Sequence, residues 1–217
     1  MRFRIITIFP EIFDSYLKES ILGRAIKNKI ISVRFYNPRD FIKGNKNNYK
    51  PVDDKPYGGG PGMVMKAEPL LKAVAKVLSV AKGKKIKIIF LSPAGKKFDT
   101  VYAKKLVKQK YTDLILISGR YEGIDARVGK ILKTEEISIG DYVLTGGELP
   151  AMVLIDSISR QVRGVLGKYE SLEEERISSS EVYTRPEVLK YKGKNYRVPK
   201  VLLSGHKAKI EEWKNKK

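Results

Sequence analysis

The chain has no cysteine among its 217 residues, one histidine, His206, and one tryptophan, Trp213. The first absence excludes disulfides, a thiol nucleophile and thiolate-held zinc or iron–sulfur centres. The second leaves too little imidazole for a histidine-built metal site. No apolar run approaches the ~20 residues of a membrane-spanning helix. The opening residues 1–9 alternate too strongly for a secretory leader, and a cytoplasmic protein is expected. Acidic side chains are also few: 24 Asp and Glu stand against 44 Lys and Arg, a formal charge of +20. The excess is spread along the chain, +15 over residues 1–164 and +5 over residues 165–217. A folded surface therefore carries it, and such a surface favours a polyanion: RNA, DNA or an anionic membrane.

What is present is an alternation of two periodicities. Strands are expected at residues 3–9, 31–36, 86–91, 114–118 and 135–139, and helices at 11–29, 69–81, 99–110, 126–132 and 149–163. Strand–helix alternation implies an α/β domain on a largely parallel sheet, in which ligands sit beyond the carboxyl ends of the strands. That domain is read as residues 1–164. Residues 165–182, acidic and serine-rich, read as a linker, and residues 183–217 as a small, mostly helical unit whose last helix starts near Lys207. Residues 37–62 have little periodicity and read as one long loop, a length that usually carries function or disorder.

Two glycine-rich segments, residues 119–125 and 138–150, each follow an apolar run that reads as a strand. Glycine there lets the backbone turn sharply and approach a ligand closely. With the turn after Leu91, three such bends converge on a pocket. Leu91, Ile139, Tyr142 and Leu144 offer apolar surface to a flat ring, main-chain groups of residues 140–144 offer hydrogen bonds, and Glu122 offers a carboxylate to a cationic or amide donor. The competing reading is tight helix–strand packing without a ligand. The run from Pro56 to Val64 lacks the Gly-Lys-Ser/Thr end of a phosphate loop, and Met63 stands where a dinucleotide fingerprint needs its third glycine. A mobile surface loop and a loop that touches an RNA backbone both fit it. Arg160 and Arg163 read equally as surface cations, Glu173, Glu174 and Glu175 as a solvated acidic run, His206 as a helix cap and Trp213 as a helix anchor.

These residues together resemble the bacterial tRNA (guanine-N1-)-methyltransferases that modify position 37, of the knotted SPOUT class. The carriers are Ile8-Phe9-Pro10, the run from Asp53 to Met63, Leu91-Ser92-Pro93, residues 119–125 and 138–150, Tyr183-Thr184-Arg185-Pro186 and residues 199–206. They span nearly the whole chain. The resemblance implies a deep trefoil knot, S-adenosylmethionine held in it, a homodimer, and a terminal unit that grips tRNA across the dimer. It places the cofactor against Leu91, Ser92, Pro93, Gly119, Glu122, Ile139, Gly140, Asp141, Tyr142, Val143, Leu144, Gly146 and Gly147. It places the guanine and tRNA contacts at Asp54, Tyr57, Gly58, Gly59, Gly60, Glu122 and Arg185. Magnesium is the divalent ion that accompanies this family's reaction, with no ligand set visible. Arg160 matches the family's catalytic arginine. Where the family has an aspartate as its base, this chain has Glu175, one methylene longer. Its last residues also follow closely on Trp213, where relatives continue through another helical segment. Two alternatives stand beside this one: another knotted-class reaction such as ribose 2′-O-methylation, and a non-catalytic RNA-binding relative.

Overall fold

The computed structural model describes residues 1–44, 47–81, 85–166 and 181–215. The chain divides into two compact units, Met1–Leu166 and Gly167–Lys217. The first is built on five parallel strands: β1 (Arg2–Ile6), β2 (Ser32–Tyr36), β5 (Ile86–Lys97), β6 (Asp113–Ser118) and β7 (Glu135–Ser138), in the order β2-β1-β6-β5-β7. Two short strands, β3 (Asp53–Asp54) and β4 (Val64–Met65), form a separate antiparallel ribbon.

Alternation along the strands divides the core. Phe3 and Ile5 of β1 and Leu114 and Leu116 of β6 join one apolar cluster, and Ile6, Ile115 and Ile117 join the other. The first cluster is covered by α1 (Asp14–Leu17), α2 (Ser20–Lys27), α4 (Thr100–Lys108) and α6 (Glu148–Arg160). The second is covered by α3 (Ala67–Val80) and α5 (Arg127–Leu132). Helix α3 shows why it packs there: Leu70, Ala73, Val74 and Val77, at spacings of three and four, are all fully buried. The five strands of the sheet fall within the expected runs to a residue or two, apart from β1, which ends at Ile6, and β5.

Four expectations need correction. Residues 37–62, read as one long loop, hold a 3-10 turn at Pro38–Phe41 and the short strand β3. The single helix expected over residues 11–29 is a 3-10 turn at Pro10–Phe13 followed by α1 and α2. The break falls at Ser20, which takes a left-handed φ of 52°. The turn expected at residues 92–95 lies inside β5, which pairs Leu91 with Ile137, loops outward, and pairs Lys96 with the same Ile137. Gly95 rides so close over β7 that a Cβ there would lie 2.5 Å from both Glu136 C and Ile137 N. Main chain cannot step aside as a side chain can, so Gly95→Ala is expected to cost about 2–3 kcal/mol. In a calorimetric melt that is a fall of about 4–12 °C; an unchanged midpoint would show that the crossing is not tight.

In the second unit, read as mostly helical, β8 (Val188–Tyr191) and β9 (Lys194–Arg197) form an antiparallel hairpin before α7 (Lys200–Leu203) and α8 (Lys207–Asn215). Its two-residue turn, Lys192 and Gly193, has φ of 48° and 74°; a pair of positive φ values matches strand twist. The rings of Tyr183 and Trp213 meet at 6.2 Å. His206 lies just before α8, its carbonyl accepting from Ile210 N.

Candidate active site

The outward loop of β5 and the carboxyl ends of β6 and β7 open together onto a cavity of about 390 Å³. Main-chain crossings build it. Gly147 N donates to Gly119 O at 2.8 Å, and Ser118 Oγ donates to Gly147 O at 3.2 Å. A Cβ on Gly147 would sit 2.7 Å from Ser118 Cα, so only glycine lets these two bends lie face to face. Ser138 fixes the next bend: its hydroxyl donates to Gly140 O (2.9 Å) and accepts from Gly140 N (3.2 Å).

Of the residues expected to hold a cofactor, Leu91, Ser92, Pro93, Gly119, Glu122, Ile139, Gly140, Tyr142, Val143, Leu144, Gly146 and Gly147 line this one cavity. Asp141 does not; its carboxylate turns to Lys97 Nζ at 2.5 Å on the exposed rim. The lining mixes apolar faces of Leu91, Ile137, Ile139 and Leu144 with the main chain of the bends, and a volume near 400 Å³ lies in the range of small-molecule sites. A nucleoside with a short polar tail fits that donor set.

The long loop is brought to the cavity mouth by pairing across the first glycine-rich segment. Met65 N donates to Gly123 O (2.9 Å), Glu122 N to Met63 O (3.0 Å) and Asp125 N to Met65 O (3.0 Å). A Cβ on Gly62 would meet the Glu122 side chain at 2.5 Å, so the end of the loop lies on that carboxylate. Asp54, on β3, accepts from Lys55 N at 2.9 Å and lies 3.2 Å from Lys66 Nζ. The Lys55 amide and the Lys66 ammonium hold its carboxyl below the usual range. Tyr57 is fully exposed, and Gly58, Gly59 and Gly60 have positive φ with open space around them. Burial, then Asp53, pushes the Tyr121 hydroxyl up.

Arg160 is the last residue of α6 and is half-buried. Arg185 belongs to the second unit. Glu173, Glu174 and Glu175 lie outside the described residues. Among the described residues no group of three or more His, Asp or Glu is placed to hold a metal ion, and no helix is long and apolar enough to cross a membrane.

Sequence reasoning did not single out Thr7, Arg120 and Glu148. Glu148, first residue of α6, is 1 % exposed. It accepts from Thr7 Oγ1 at 2.8 Å and from Arg120 Nε at 2.8 Å. The available signal was an acidic residue opening an otherwise apolar helix, with one cation inside the facing glycine-rich segment.

The family model described as tRNA (Guanine-1)-methyltransferase TrmD matches residues 1–217. The chain belongs to this family. A tRNA (guanine-N(1)-)-methyltransferase of Clostridioides difficile (strain 630) is 47 % identical over 218 residues, covering 99 % of this chain and 90 % of that protein. Proteins of the same name from Buchnera aphidicola and Ruminiclostridium cellulolyticum are 47 % and 48 % identical, with 99 % of this chain covered in each case and 88 % and 89 % of those proteins.

Proposed function

We propose that this chain transfers the methyl group of S-adenosylmethionine to N1 of guanine 37 in tRNA, on a knotted domain that works as a homodimer. The observation that carries the reading is the meeting of three bends in one cavity with the loop of residues 56–62 delivered to its mouth at Glu122. Membership of a tRNA guanine-methyltransferase family over the full chain supports the same substrate.

S-adenosylmethionine, when bound, supplies a methyl group on a sulfonium. Leu91, Ile139, Tyr142 and Leu144, which line the cavity, would hold the flat base of that donor, and the bends at Gly119 and Gly140 would offer main-chain groups to its polar edges. Guanine N1 carries a proton and is a poor nucleophile until the proton leaves. Glu175 takes that proton as general base, Arg160 stabilises the negative charge that grows on the guanine oxygen, and Glu122 accepts from the guanine edge. With that proton gone, the N1 lone pair would be free to take the methyl group that the bound donor supplies. A base inside a tRNA loop must be unstacked to enter, and the +15 domain attracts the backbone that presents it. Asp54 and the glycines of residues 58–60 lie on the loop that meets the RNA, with Arg185 a phosphate contact. Magnesium enters this reading through the family alone.

The knotted path enters this reading through the family. An apolar stripe supports the dimer. Leu149 and Val153 on α6 are exposed beside the 3-10 turn that carries Ile12, and Tyr16 reaches across to Asp156. That bond, with burial, pushes the Tyr16 hydroxyl up to about 12.

The test is methyl incorporation into tRNA transcripts with guanine or adenine at position 37, followed by nuclease digestion and mass spectrometry. The expected product is 1-methylguanosine, with the adenine transcript unmodified. Methyl on a ribose oxygen, or equal labelling of both transcripts, would overturn the assignment.

A further inference from the structure

A carboxylate that is 1 % exposed needs a reason to be charged and buried at the edge of a ligand cavity. Glu148 closes the cavity loop of residues 139–147 at its C-terminal end and is tied on both sides. Thr7 donates its hydroxyl to one carboxylate oxygen and accepts from Phe9 N at 3.0 Å. Arg120 donates to the other, reaches Thr145 O with Nη1 at 3.3 Å, and lies 4.9 Å over the Phe9 ring. The loop rests on this ion pair: a Cβ on Gly146 would lie 2.4 Å from Arg120 Nε and 2.6 Å from Glu148 Oε2.

Each link constrains the next. A buried carboxylate does not stand without its cation, so Glu148 holds Arg120 in place. Arg120 in turn holds the Thr145 carbonyl, and the loop has no room to sink or lift at Gly146. We infer that Thr7, Glu148 and Arg120 form a positioning relay that sets the height of the cavity loop before the methyl donor arrives. The donor then binds without first ordering residues 139–147, which raises affinity by lowering the cost of binding. Arg120 and Glu148 act through the loop, and no proton moves between them and the substrate. The inference rests on reading the cavity as the donor site.

Two variants of the full chain test it, with S-adenosylmethionine as the probe. Arg120→Lys keeps a cation beside Glu148, but a lysine has no planar fork to serve Glu148, Thr145 and the Phe9 ring together. The donor Kd by calorimetry and the donor KM should rise about 10- to 100-fold, because the donor must then order the loop as it binds. The turnover number at saturating donor should stay within about threefold and the KM for tRNA should hold, which separates positioning from chemistry. Thr7→Val leaves the ion pair intact and frees one carboxylate oxygen; a shift in the same direction of about 3- to 10-fold is expected. A folded Arg120→Lys protein with the wild-type donor Kd overturns the relay, as does a fall in turnover at unchanged donor KM. Should Arg120→Lys fail to fold, Thr7→Val decides, and an unchanged Kd there overturns it. Absence of donor binding by the unsubstituted chain would instead overturn the donor reading itself.

Discussion

Asp113→Ala should cost the first unit about 3–5 kcal/mol of stability, a fall in melting midpoint of about 6–20 °C. Asp113 is fully buried at the start of β6, where β1 and β5 pair on either side of it. Its carboxylate accepts from Arg4 Nε at 3.0 Å, Arg2 Nη2 at 2.8 Å and Thr112 Oγ1 at 3.0 Å. Arg4 is 5 % exposed, and its other side-chain partner is the Tyr36 hydroxyl at 3.4 Å. Alanine therefore leaves a guanidinium buried without its counter-charge. Burial pushes the Asp113 carboxyl up, but the hydrogen bonds from Arg4, Thr112 and Arg2 outweigh it and the group ends below the usual range. A carboxyl depressed in the folded state stabilises fully above its unfolded pKa and loses that contribution as pH falls through the folded one. The difference between wild type and Asp113→Ala should thus be constant near neutrality and shrink below about pH 4. Asp113 lies at the amino end of β6 and the cavity at the carboxyl end, so variant that is still folded should bind the donor normally. A difference under about 1 kcal/mol at pH 7 would show that water reaches Arg4 and that the pair is not a true buried one.

The strands and most helices were legible because one signal, apolar periodicity, dominates a buried parallel sheet. Leu114, Ile115, Leu116 and Ile117 form an unbroken apolar run because both faces of β6 are covered. The outward loop of β5 was not legible. Ser92 and Pro93 look like a turn, and only the second pairing of Ile137, at Lys96, keeps that stretch in the sheet. The hairpin at Lys192–Gly193 was missed because its strands, exposed on nearly every residue, lack an apolar face. In the site, the glycines announced themselves, since close backbone approach excludes other residues. The relay of Thr7, Glu148 and Arg120 did not, because its members are 113 and 28 residues apart along the chain and pair only once β1, β6 and α6 are assembled.

Glu175→Gln should lower turnover at guanine N1 by about 10²- to 10⁴-fold, the usual contribution of a general base. Glutamine keeps the size of the side chain and can still accept a hydrogen bond from the N1 proton, but it cannot take that proton away. The affinity for S-adenosylmethionine should hold, because the cavity proposed for the donor is lined by the bends of residues 90–93, 119–124 and 137–147. The acidic limb of the pH–rate profile should vanish with the carboxylate, whereas Arg160→Ala should lower the rate and leave that limb in place. Glu175→Asp adds a sharper comparison. It restores the family's residue type on a segment whose arm is one methylene longer in this chain. If the segment is fitted to glutamate, the shorter arm falls about 1 Å short and loses about 100-fold. Retention of full turnover by Glu175→Gln at normal donor affinity would remove Glu175 from the reaction, and the same assay on Glu174→Gln would then decide whether its neighbour takes the proton.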